Sequence, residues 1–121
     1  MMIDWVKAEV RRIMNTTIWS WEGWVSAWGR EKSLRQWTAL NVISAVAVFL
    51  IDLTPGERAL ILALGLLVLA AELINTAVEE VVDYISEERD PRAKRAKDAG
   101  SAMVAVAAIA CGVAWLVVLL G

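Results

Sequence analysis

Histidine is absent from the 121 residues. That absence removes Ser-His-Asp and Cys-His catalysis and His-ligated zinc or haem, leaving carboxylates, lysine and hydroxyls for any acid-base work. Cysteine occurs once, as Cys111 inside an apolar run, so no intrachain disulfide can form. Neither GxxxxGK(S/T) nor GxGxxG occurs, so a nucleotide would be held without a glycine loop cradling its phosphates. A basic excess is also lacking. The formal net charge of −2 provides no electrostatic footprint for nucleic acid, and no nucleic-acid partner is expected. The N-terminus has no short apolar core followed by a small-residue cleavage site, so no removable signal peptide is expected. No internal repeat or low-complexity segment is present.

What the chain has in excess is apolar sequence. Hydrophobic residues make up 59% and the mean hydropathy is +0.56, values that belong to an integral membrane protein rather than a soluble domain. The expected architecture is all-α, a single membrane domain over 1–121. Residues 1–35 form an interfacial amphipathic segment, 36–53, 59–82 and 99–121 form three transmembrane helices, and 83–98 form a cytoplasmic loop and helix start. Six of the seven tryptophans fall within the first 37 residues, and Trp21, Trp24 and Trp28 repeat at helical spacing. Tryptophan favours the headgroup level, which suits a helix lying on the membrane. Asn15, Thr16 and Thr17 are positioned to cap that helix or to break it. Thr54 and Pro55 read as cap and first residue of the second span.

Lysine and arginine fix an orientation. Six precede the first span, one (Arg58) lies in the first loop, five in the second, and none follows the third. The positive-inside rule then makes the N-terminus and the 83–98 loop cytoplasmic, with the C-terminus outside.

The second span carries the informative residues. Relative to Glu72, a helix turning about 100° per residue places Asn75, Glu79 and Asp83 within about 60° on one stripe, with Glu80 about 80° away. Ionisable groups at membrane depth are costly, and such a stripe marks a functional site facing protein or water. Three groups are expected to converge at the cytoplasmic interface: the stripe, the cluster Lys97, Asp98 and Ser101, and residues 20–35 with Glu31. Carboxylates without histidine suit Mg²⁺, a hard cation that bridges protein oxygens to phosphates, and lysine suits the phosphates themselves. Those features describe metal-assisted phosphoryl transfer at a membrane surface. A small oligomeric channel or proton-conducting protein is the alternative from another class, although it leaves Lys97 and Asp98 idle.

The string AELINTAVEEVVD followed by RAKDAGSAMV, preceded by WSWEGW, AW and RQ, resembles the prokaryotic integral-membrane diacylglycerol kinase family from about Arg12 onward. The resemblance implies a homotrimer in the bacterial inner (cytoplasmic) membrane. It also implies transfer of the γ-phosphate of MgATP to the primary hydroxyl of diacylglycerol. Residue by residue it implies Glu72 as catalytic base, Glu31 and Glu79 as metal ligands, and Arg12, Ser20, Asn75, Glu79, Asp83, Glu88, Lys97 and Asp98 on the nucleotide side. Glu72 and Ser101 fall on the lipid side. The related undecaprenol kinases share the stripe and the Lys97–Asp98 pair, and are the alternative within the superfamily. Trp37 stands where a characterised member has glutamate, and Trp19 replaces a tyrosine. Ser86, Asp90 and Lys94 replace glycine, histidine and glycine in the loop, while Glu80 is an additional acid without an assigned role.

Overall fold

Backbone groups cannot be left unpaired in hydrocarbon, and this apolar chain satisfies them within helices. The computed structural model describes residues 1–121 and contains four helices: α1 (Met2–Arg30), α2 (Lys32–Leu50), α3 (Pro55–Ile85) and α4 (Pro91–Leu120). The last three are long and apolar enough to cross a membrane. At 1.5 Å per residue α2 measures about 28 Å and α3 about 46 Å. Helix α3 thus exceeds a hydrocarbon core of about 30 Å by several turns. Its surplus is polar at the C-terminal end, and α4 begins beside it after only residues 86–90.

Helix α3 is the centre of the packing, with α4 along one side and α2 along the other. Helices α2 and α4 meet through a hydrogen bond in which the Trp115 indole N–H donates to Ser44 Oγ at 2.8 Å. Val48, Leu53, Ile61 and Ala114 form a small core near the α2–α3 turn. Only 12 of 121 residues are buried, so most of the apolar surface of one chain is left for lipid or for further copies. Close approach between helices depends on small residues. The Asn41 side chain occupies the space a Cβ on Gly65 would take, which lets α2 lie against α3.

Helix α1 runs through Asn15, Thr16 and Thr17 without a break. The hydroxyls of Thr16 and Thr17 donate back to the carbonyls of Arg12 and Ile13 at 2.8 and 2.9 Å. That local bonding satisfies the polar side chains inside the helix, so the run has no need to end it. A single residue, Glu31, separates α1 from α2.

The α2–α3 turn is tied at both ends. Thr54 Oγ1 accepts from the Glu57 N–H at 3.2 Å while the Glu57 carboxylate accepts from the Thr54 N–H at 3.0 Å, a reciprocal capping box with Pro55 at the first position of α3. Arg58 Nε donates to the Val48 carbonyl at 2.8 Å, satisfying one of the orphan acceptors that end α2. Thr54→Ala should therefore destabilise the protein by about 1 kcal/mol while Thr54→Ser is neutral. Unfolding in detergent micelles, followed by circular dichroism, measures the difference.

Candidate active site

Helical periodicity brings Glu72, Asn75, Glu79 and Asp83 onto the face of α3 that meets α4 and the α1–α2 junction. Glu72 is only 4% exposed. Ser33, in the first turn of α2, donates to Glu72 Oε2 at 3.3 Å, and Glu31 and Glu79 are its charged neighbours. One turn along α3, Asn75 Nδ2 donates to Glu79 Oε1 at 3.4 Å. Asn75 Oδ1 is buried without a hydrogen-bond partner and fills the space beside Gly100 of α4 that a Cβ would need. Gly100 is thus the residue that lets α4 close on the stripe.

Further toward the end of α3 the site becomes a charged cleft. Lys97 Nζ lies 2.6 Å from Asp83 Oδ1, joining α4 to α3, and Lys94 Nζ lies 2.6 Å from Asp98 Oδ2. A cavity of about 620 Å³ opens here, lined by Asp83, Glu88, Lys94, Lys97 and Asp98 among others. Asp90 caps α4 by accepting from the Arg92 N–H at 2.7 Å. The Arg92 guanidinium, together with that N–H, holds the Asp90 carboxyl below the usual carboxylate range. Ser86, Asp90 and Lys94, the three replacements noted in the loop, all line this cavity.

Not every predicted residue joins this group. Arg12 pairs with Glu9 at 2.8 Å, and Ser20 donates to the Thr16 carbonyl at 2.8 Å. Both stand on the part of α1 that projects from the body of the chain, where the single buried residue is Ala27 near its far end. Ser101 is exposed on α4 next to Gly100. Ser33 was not anticipated from the sequence. Its position two residues after Glu31, on the first turn of a new helix, is the only signal that pointed to it.

The candidate ligand atoms of Glu31, Glu72 and Glu79 are carboxylate oxygens, which fits a hard divalent cation. No cluster of three or more acidic or thiol ligands is present in one chain. A cation bound here would complete its shell with phosphate oxygens and water, as Mg²⁺ commonly does.

Comparison with known proteins gives the same direction. Residues 18–119 match the family model for prokaryotic diacylglycerol kinase. The chain belongs to the prokaryotic diacylglycerol kinase family. Among relatives in this family, a diacylglycerol kinase of Pseudomonas aeruginosa is 45% identical over 112 residues, covering 93% of this chain and 91% of the relative. One from Haemophilus influenzae is 40% identical over 103 residues, covering 85% and 87%. A third, from Escherichia coli K12, is 34% identical over 108 residues, covering 89% and 88%. The family match begins at Ile18, so it includes Ser20, Glu31, the whole stripe and the Lys97–Asp98 pair, and leaves Arg12 outside.

The Asn75–Gly100 contact generates a specific expectation. In Gly100→Ala the new methyl group displaces the Asn75 side chain and breaks its bond to Glu79, costing about 1–3 kcal/mol. Gly112→Ala, where a Cβ meets open space in the same helix, should stay within about 0.5 kcal/mol. Thermal unfolding and turnover of the two variants, compared side by side, provide the check.

Proposed function

We propose that this chain is an ATP-dependent diacylglycerol kinase, working as a homotrimer in the bacterial inner membrane with its N-terminus and the 86–90 connection on the cytoplasmic side. The observation that carries the reading is a buried acid, Glu72, on the same helix face as a lysine-lined polar cleft. A lipid hydroxyl held at the acyl boundary can reach the first, and a nucleotide entering from water can reach the second. About two turns of α3, roughly 10 Å, separate Glu72 from Glu79 along the helix axis, so the acids serve the two substrates at different depths.

In the proposed reaction Glu72 accepts the proton of the acceptor hydroxyl as that oxygen attacks the γ-phosphorus. The bond from phosphorus to the β–γ bridging oxygen breaks and its electron pair leaves with ADP. The lipid product is phosphatidic acid, and Glu72 returns its proton to water. Ser33 orients the carboxylate through the oxygen it bonds. Asn75 holds Glu79 in place, and Lys97, now on Asp83, is within its own reach of a phosphate entering the cleft. Glu31 and Glu79 are the residues that would hold Mg²⁺, which when bound neutralises charge on the transferring phosphate. Positioning and charge neutralisation are most of what phosphoryl transfer requires.

The trimer is supported by how little one chain covers. Apolar surface on all three spans is left open, and Arg12 and Ser20 lie away from their own chain's stripe, where a neighbouring copy's site could receive them.

Purified protein in mixed micelles should consume ATP only when both Mg²⁺ and diacylglycerol are present, forming phosphatidic acid. Turnover with undecaprenol alone would reassign the acceptor. Failure to phosphorylate either lipid would reject the kinase reading.

A further inference from the structure

Helix α1 is joined to the rest of the molecule through its last turn. Ala27 is its one buried residue. Arg30 Nη2 lies 2.6 Å from Glu80 Oε1, the single ion pair between α1 and another helix. On the other side of the junction the Arg35 guanidinium donates to the Trp28 carbonyl. Between these two ties sits Glu31, extended at φ −108° and ψ 104°, where the chain turns from α1 into α2.

The two residues of the ion pair have neighbours of consequence. Arg30 directly precedes Glu31, and Glu80 directly follows Glu79. Glu31, at the α1–α2 junction, and Glu79, on α3, each act as a like charge on Glu72. The Arg30–Glu80 ion pair, one residue removed from each of these acids, ties the junction to α3. Because a single non-helical residue links α1 to α2, any displacement of Arg30 is carried into Glu31.

We propose that Arg30 and Glu80 are a positioning pair that holds the Glu31 and Glu79 carboxylates in register for a divalent cation. The inference rests on the kinase reading for the identity of that cation's partner, a nucleotide phosphate. Neither residue touches substrate; both act through their neighbours. It gives Glu80, the acid beside the stripe without an assigned role, a function that depends on the arginine at position 30.

The pair is about half exposed, with side chains 59% and 49% accessible, so its contribution is modest. The test uses full-length protein in lipid nanodiscs, measuring Mn²⁺ affinity by electron paramagnetic resonance with a saturating non-hydrolysable ATP analogue and no lipid acceptor. Arg30→Ala and Glu80→Ala should each weaken Mn²⁺ binding about three- to fivefold. The double variant should be no weaker than either single one, and the charge swap R30E/E80R should recover affinity to within about twofold. The KM for diacylglycerol should not move, which a general loosening of the fold would change. Additive losses, unchanged binding in both single variants, or a swap that recovers nothing would each overturn the pair. Lipid-dependent turnover by the wild type without coupling in this cycle would overturn the pair and leave the kinase reading intact; coupling without turnover would do the reverse.

Discussion

A carboxyl group kept out of water inside an apolar helix is the constraint on which the rest of this structure depends. Moving an unpaired carboxylate out of water is prohibitively costly, so such a group is retained where protein partners surround it and where its chemistry is used. Glu72 has those partners from two directions. The Ser33 hydroxyl reaches it from the first turn of α2, and the tight packing of α4 on α3 at Gly100 closes the face one turn away. The one-residue junction at Glu31 follows from the same requirement, because it lets α2 start beside the acid while α1 departs along another direction.

The helix lengths then separate two environments. Helix α3 is too long for the hydrocarbon core, and its excess carries Glu79 and Asp83 out beside the first turns of α4, where Lys97 and Lys94 supply positive charge. An apolar acceptor and a polyanionic donor can therefore approach one face of one helix from opposite sides of an interface. Family membership and physical reading meet at this point: the stripe that is costly to keep in a membrane lies within residues 18–119, which match the prokaryotic diacylglycerol kinase family.

Much of this was legible in the residues alone. Four helical segments, the Thr54–Pro55 start and the shared face of Glu72, Asn75, Glu79 and Asp83 all follow from periodicity and capping, which are local properties. The continuity of α1 was not, because Thr16 and Thr17 are equally suited to ending a helix or to bonding back within one, and only the surrounding backbone decides. Ser33 and the Arg30–Glu80 pair were hidden for a different reason. Each depends on the direction the chain takes at Glu31, and a turn of one residue leaves no periodic trace. Arg12 and Ser20 carry the converse lesson: the expectation for them rests on resemblance in sequence, whereas their distance from the stripe within one chain is a matter of where α1 points.

The central claim is that Glu72 handles the acceptor's proton while the nucleotide is held elsewhere on the same face. Glu72→Gln tests it most directly, since the amide keeps the shape and removes the base. With γ-labelled ATP, diacylglycerol and Mg²⁺, the variant should form no labelled phosphatidic acid while binding a non-hydrolysable MgATP analogue as the wild type does. Labelled lipid produced at the wild-type rate would contradict the account.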